Sequence, residues 1–253
     1  MKGYNNEFNF VLALNNKKVC ELNPLLYDLI HELFDNINDQ MIIKSWRNHY
    51  KQKTDIFVKI NNIHKRLSIK MGSRNSVHLE SINTFINFLK ENNIPDNVIN
   101  NYLEYHYGDG TTDNSGFKRL SAEDYKKHNQ EKIDYINNQF SNPKLINKMI
   151  ERSITKGLVL NDRIDAIICG ETTDFLWIKR EDIKKIIIKK KDNYCSSPHF
   201  GPLVCQPLNR CLNYNRKYEY GRNYIQIKWY SLFDDIIENM NDKVLNNYSK
   251  VDN

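Results

Sequence analysis

The stretch Thr54–Glu80, TDIFVKINNIHKRLSIKMGSRNSVHLE, decides how the rest of the chain is read. Ile56, Val58 and Ile60 alternate with Phe57 and Lys59, which predicts a strand with one apolar face. Asn61-Asn62 predicts a tight turn, because asparagine tolerates the left-handed conformation that such turns require. Leu67 and Ile69 then point one way and Ser68 and Lys70 the other, so a second strand follows. Gly72 and Ser73 end it. Ser76 is expected to cap a helix, with Glu80 on about its first turn.

A hairpin of this kind sets Asp55, at the end of one strand, beside Ser68 and Lys70 on the next. A carboxylate and an amine on one sheet face are half of a metal-assisted hydrolysis site. The carboxylate holds a hard divalent cation through oxygen, and the lysine orients water or stabilises charge on a phosphate. The other reading is that both are ordinary strand-end charges.

The pattern Asp, a variable gap, an acidic residue, any residue and Lys marks the PD-(D/E)xK nuclease superfamily, to which many restriction endonucleases belong. Thr54-Asp55 followed by Ser68-Ile69-Lys70 resembles it over the 28 residues from Lys53 to Glu80. The resemblance implies an α/β fold, with a restriction-endonuclease-like mixed central sheet flanked by helices. It also implies Mg²⁺ as cofactor, Lys70 as the residue that positions water, and the Ile69 carbonyl as a metal ligand beside Asp55. Ser68 departs from the pattern: a neutral hydroxyl stands where the family has Asp or Glu, and it is a poor ligand for a hard cation. Either another carboxylate supplies the missing charge or the site is inactive. Glu80 is the first candidate for that carboxylate, and Glu21 and Glu32 are weaker ones.

The 253 residues suffice for one domain, residues 1–253, with its own core. The aromatic fraction of 11% argues against disorder. The net charge of +6 suits a polyanionic partner without demanding one. Five cysteines without a C-x-x-C pair, no secretory leader and no long apolar run lead to the expectation of a cytoplasmic protein with reduced thiols and no membrane association. Cys195, His199, Cys205 and Cys211 have no spacing that fits a common zinc knuckle.

Residues 8–14 are expected to form a short strand or a lead-in. Asn23-Pro24 starts a helix to about residue 38. Residues 95–156 read as a helical insertion, opened by Pro95, with later helices capped at Ser121 and restarted after Pro143. Residues 166–170 and 175–178 read as strands, and KKIIIKKK (184–191) as another. Asp165 and Glu171 form a rival acidic pair without a following x-Lys.

Residues 196–229 are expected to be a β region that contacts nucleic acid. His199, Gln206, Asn209 and Arg210 can read base edges, Gln226 and Lys228 share one face of a strand in the same region, and Arg222 and Lys228 add charge among tyrosines. Arg74 and Asn75, in the turn after the S-x-K strand, are assigned to the same partner.

The function expected is sequence-specific hydrolysis of double-stranded DNA by a type II restriction-type, Mg²⁺-dependent endonuclease. The proposed residues are Asp55, Ser68, Lys70 and Glu80, with a homodimer where the site is palindromic. The alternatives are a catalytically inactive DNA-binding protein on the same fold and an RNA nuclease.

Overall fold

The computed structural model describes residues 2–50, 52–71, 76–116, 119–159, 162–192, 195–209 and 216–251. In chain order these form α1 (Lys2–Leu14), α2 (Pro24–Leu33), β1 (Ile43–Arg47), β2 (Ile56–Ile60), β3 (Ile63–Lys70), β4 (Ser76–Ser81), α3 (Ile82–Glu91), α4 (Asp96–Tyr107), α5 (Ala122–Phe140) and α6 (Pro143–Ile150). They continue with β5 (Ala166–Glu171), β6 (Asp174–Lys179), α7 (Arg180–Lys189), β7 (His199–Phe200), β8 (Leu203–Pro207), β9 (Tyr224–Trp229) and α8 (Leu232–Val251). The chain divides into two compact units. One comprises residues 1–75, 154–186 and 231–253, and the other residues 76–153 and 187–230.

The first unit is built on a mixed five-stranded sheet in the order β1-β2-β3-β5-β6. Its only parallel pair is β3 with β5, in the register Leu67↔Ala166 to Lys70↔Cys169. The β2–β3 hairpin forms as the alternation demands: Ile56 lies opposite Leu67, Ile60 opposite Ile63, and Asn61 takes a positive φ of 53° at the turn. Ile56, Val58, Ile60, Leu67 and Ile69 face a core completed by Phe10 and Leu14 of α1 and by Leu26, Leu29, Ile30 and Leu33 of α2. Asn23 caps α2 as its sequence predicts, its Oδ1 accepting the Leu26 N–H at 2.9 Å.

The second unit holds an antiparallel four-stranded sheet in the order β4-β9-β8-β7, together with α3 to α6. Its aromatic centre includes Phe85, Tyr102, Phe140 and Phe200, with the Phe140 and Phe200 rings stacked at 4.2 Å. The helices of 95–156 and the strands of 196–229 fall mainly in this unit.

Four local expectations change. Residues 8–14 are the end of α1, not a strand: Phe10 and Leu14, one helical turn apart, are the buried pair. Residues 76–81 are strand β4, paired with β9, and the helix begins one element later, where the Ser81 hydroxyl accepts the Thr84 N–H at 3.1 Å. Residues 184–189 belong to α7, because Ile183, Ile186 and Ile187 are buried at helical spacing. The first long helix also ends earlier than expected, at Leu33.

Candidate active site

Asp55 stands one residue before β2, and its backbone N–H still bonds the Leu67 carbonyl at 2.9 Å. The ladder therefore fixes where its carboxylate points. Oδ2 accepts the Ser68 hydroxyl at 2.9 Å and the Ile69 amide N–H at 2.6 Å, and the Lys70 ammonium lies 3.9 Å from it. The Asp55–Ser68–Lys70 convergence expected from the hairpin is thus present. Behind it, buried Thr54 and Lys53 are tied to buried Asp162. The Thr54 hydroxyl and the Lys53 and Thr54 amides all donate to that carboxylate, which anchors the chain just ahead of Asp55.

A residue that the sequence did not single out joins this group. Glu7 lies on α1 at the spacing of Phe10 and Leu14, so it emerges from the buried side of the helix. Arg47 of β1 donates to its Oε2 through Nε at 3.2 Å and Nη2 at 3.0 Å. Burial pushes the Glu7 carboxyl above its ordinary range, and the negative charge of Asp55 pushes it the same way. Arg47 and Lys70 pull against them without prevailing. Two carboxylates of one unit therefore repel each other, with one oxygen of each occupied by neutral or cationic donors. An acid on the apolar stripe of α1 was the available signal, hidden because FNFVLAL reads as a strand.

The expected second acids are engaged in other interactions or lie at the surface. Glu80 sits on β4 in the second unit, its side chain only 1% exposed. Arg152 grips both its oxygens and His78 Nε2 lies 3.2 Å from one of them. Burial alone would raise the Glu80 carboxyl, but the bonds from His78 and Arg152 outweigh it and hold the group below its ordinary range. Glu21 accepts the Lys18 N–H, and Glu32 is held by Trp177 Nε1 at 2.6 Å and Lys179 at 3.4 Å. Of the rival pair, Asp165 is engaged by the Arg66 N–H and by Arg180, and Glu171 ends β5 at the surface. Opposite Lys70, burial pushes the Cys169 thiol up to about 12, so it is no nucleophile at neutral pH.

Among the described residues no group of three or more His, Cys, Asp or Glu side chains gathers as a metal cage. The chemistry of the Asp55 group still suits one small hard cation. Mg²⁺ keeps several waters and needs only one or two carboxylates. A divalent charge held by Asp55 and Glu7 would offset the burial and the Asp55 charge that raise Glu7.

The residues expected to touch nucleic acid are dispersed within the second unit. Gln206 on β8 and Gln226 and Lys228 on β9 line one groove, as does Asn209 just beyond β8. His199 is 8% exposed, its Nδ1 on the Ser197 carbonyl at 2.8 Å, so it belongs to the interior instead of the surface. Arg222 is buried as well, donating to Asn114 Oδ1 at 3.2 Å while its carbonyl bonds His106 Nε2. Arg74, Asn75 and Arg210 lie outside the described residues. Among the described residues no helix is long and apolar enough to cross a membrane.

No protein-family model matches the sequence, and no curated protein matches it significantly. Among solved structures, the restriction endonuclease MspI in complex with its cognate DNA aligns over 87% of this chain and 87% of its own, with a TM-score of 0.57 and 13% identity. The chain therefore has a mixed α/β fold similar to that of a restriction endonuclease.

Proposed function

We propose that this chain is an Mg²⁺-dependent endonuclease that hydrolyses phosphodiester bonds in double-stranded DNA at a specific sequence. The observation that carries the reading is the open end of the β2–β3 hairpin, where β2 begins and β3 ends. There Asp55, the Ile69 main chain and Lys70 converge, in a fold that aligns with a DNA-cutting enzyme over most of its length.

Asp55 and Glu7 would hold the cation, with the Ile69 carbonyl as the third protein ligand that the family resemblance implies. Glu7 takes the place first given to Glu80, whose charge is already matched by Arg152. When bound, Mg²⁺ would supply Lewis acidity toward the phosphate and lower the pKa of a water. Ser68 serves as a positioning residue, since its hydroxyl holds Asp55 Oδ2. Lys70 orients the attacking water toward phosphorus and stabilises the charge gathering on the phosphate oxygens as the new P–O bond forms and the bond to the leaving oxygen breaks. A palindromic site would be engaged by two copies of the chain.

A second reading is favoured by Ser68 itself. The hydroxyl gives the site one acid fewer than the family pattern, so the fold would bind DNA without cutting it.

The test is incubation of long mixed-sequence duplex DNA with Mg²⁺, comparing the native chain with Lys70→Ala. Discrete fragments that disappear with the variant are expected. DNA retarded on a gel but left whole by both proteins would establish the second reading. Neither cutting nor retardation would overturn both.

A further inference from the structure

The four-stranded sheet has two unlike faces. Ile225, Ile227 and Trp229 of β9 are buried, and Cys205 and Leu203 of β8 lie opposite Ile227 and Trp229. The other face carries Gln226 and Lys228 of β9, with Gln206 and Val204 of β8 directly opposite them. It is open in part: Leu79 of β4, opposite Gln226, is 51% exposed and Tyr230 is 52% exposed, while Val204 is buried. Lys126 and Asn209 contribute to the same groove of about 300 Å³.

The two carboxamides are held in place. Gln206 donates through Nε2 to the Tyr230 hydroxyl at 2.6 Å, and Gln226 donates through Nε2 to the Ser76 hydroxyl at 2.8 Å. Each bond fixes the amide plane and uses one N–H. Among the described residues, the carboxamide oxygen and second N–H of each have no partner. Lys228 is steadied too, its ammonium 5.4 Å from the centre of the Tyr230 ring. Long flexible side chains otherwise lose rotamer entropy on binding, and these intramolecular contacts reduce that cost.

A fixed amide that offers one acceptor and one donor side by side matches an edge with one donor and one acceptor. In the major groove that edge is adenine, with N6–H₂ and N7. A lysine, with donors only, matches O6 and N7 of guanine. Residues facing each other across antiparallel strands have Cβ atoms about 5 Å apart. Base pairs stack at about 3.4 Å, so the two amides fall on neighbouring pairs. Lys228, two residues along β9 from Gln226, is displaced by about 7 Å at right angles to that pair, so with the strands oblique to the DNA axis it falls on a further, nearby base pair.

Building on the DNA-nuclease reading, we infer that this sheet face is the base-reading surface. Gln206 and Gln226 each select an adenine of adjacent A·T pairs, and Lys228 selects a guanine of a further, nearby pair. The recognition sequence of this chain would therefore contain both A·T and G·C pairs.

The test is selection of randomised short duplexes by retention on the full-length chain in the absence of divalent metal, so that cleavage plays no part, followed by sequencing. Native protein should enrich a site with two neighbouring A·T pairs and a G·C pair nearby. Gln206→Ala and Gln226→Ala should each relax preference at one A·T position by about tenfold or more, and Lys228→Ala at the G·C position. Gln226→Glu replaces the donor by an acceptor and should move preference at its position toward cytosine, whose N4 donates. This gain of preference guards against a variant that merely folds poorly, as does a thermal melt of each protein.

A motif that is enriched but unchanged in every variant overturns the base-reading face and leaves the nuclease reading standing. Duplex retention without any motif overturns the base-reading face and, with it, the sequence-specific part of the nuclease reading. Failure to retain duplex DNA at all, or retention only of structured RNA, overturns the nuclease reading as well.

Discussion

Replacing Lys70 by alanine removes an ammonium that lies 3.9 Å from Asp55 and is partly exposed. The expected cost to folding is small, within about 1 kcal/mol, because solvent-exposed ion pairs contribute little. The expected cost to single-turnover cleavage is on the order of 10²-fold or more. A variant that melts like the native protein and still cuts at the native rate would remove Lys70 from the chemistry. Glu7→Gln separates a second pair of effects. The folded carboxyl of Glu7 is raised, so the folded state binds more protons than the unfolded state between the ordinary value of 4.5 and its raised one. The contribution of Glu7 to stability is then full below the unfolded value and is lost as pH rises through the folded one. Glutamine does not titrate. The variant should gain thermal stability relative to the native protein as pH is raised from about 4 to 7, while Mg²⁺-dependent cleavage falls. A difference in melting temperature that is flat across this range would contradict the crowding of Glu7 and Asp55.

At the level of elements, the turn after α6 matters more than its length suggests. Glu151–Thr155 forms a π-helical turn, and Arg152 within it forks onto buried Glu80, donates to the Thr84 carbonyl and lies 4.8 Å from the Phe88 ring centre. Arg152→Ala strands a buried carboxylate and is expected to cost about 3–5 kcal/mol, read as a lower urea midpoint. Arg152→Lys keeps the charge but not the fork, and should recover only part of the loss. Because the Glu80 carboxyl is held low, its contribution is present above pH 4.5 in the native protein and fades as pH falls through the folded value. A midpoint unchanged in Arg152→Ala would show that this network is incidental. The elements also show what the sequence could reveal. The β2–β3 hairpin was legible because Ile56, Val58 and Ile60 alternate and Asn61 suits its turn, and that hairpin carries Asp55 to Ser68 and Lys70. The caps at Asn23 and Ser121 were legible for the same local reason. Strand β4 was not, since Ser76–Ser81 is a strand by virtue of β9, nearly 150 residues later. KKIIIKKK misled because a run of isoleucines satisfies both periods, and packing chose the helical one. Glu7 was missed because its relation to Asp55 exists only once α1 lies on the sheet.

For the molecule as a whole, the net charge of +6 makes binding to a polyanion an ionic-strength-dependent event. DNA retention should fall at least about tenfold between 50 and 200 mM salt, since each phosphate contact releases counterions. Filter-binding titrations at several salt concentrations give the slope, and a flat one would exclude phosphate-led binding. The parallel pairing of β3 with β5 has a further consequence, for biosynthesis. Leu67 meets Ala166, so the first three strands leave the ribosome about a hundred residues before the strand that closes their open edge. At about 5–20 residues per second this interval lasts roughly 5–20 s. The second unit is also interleaved with the first, its segments being 76–153 and 187–230. Neither unit is contiguous, so the nascent chain must carry an unpaired β edge through about two-fifths of its own synthesis. An open strand edge is a template for pairing with another chain, so a chaperone that covers it is expected to raise the soluble fraction of this protein on co-expression.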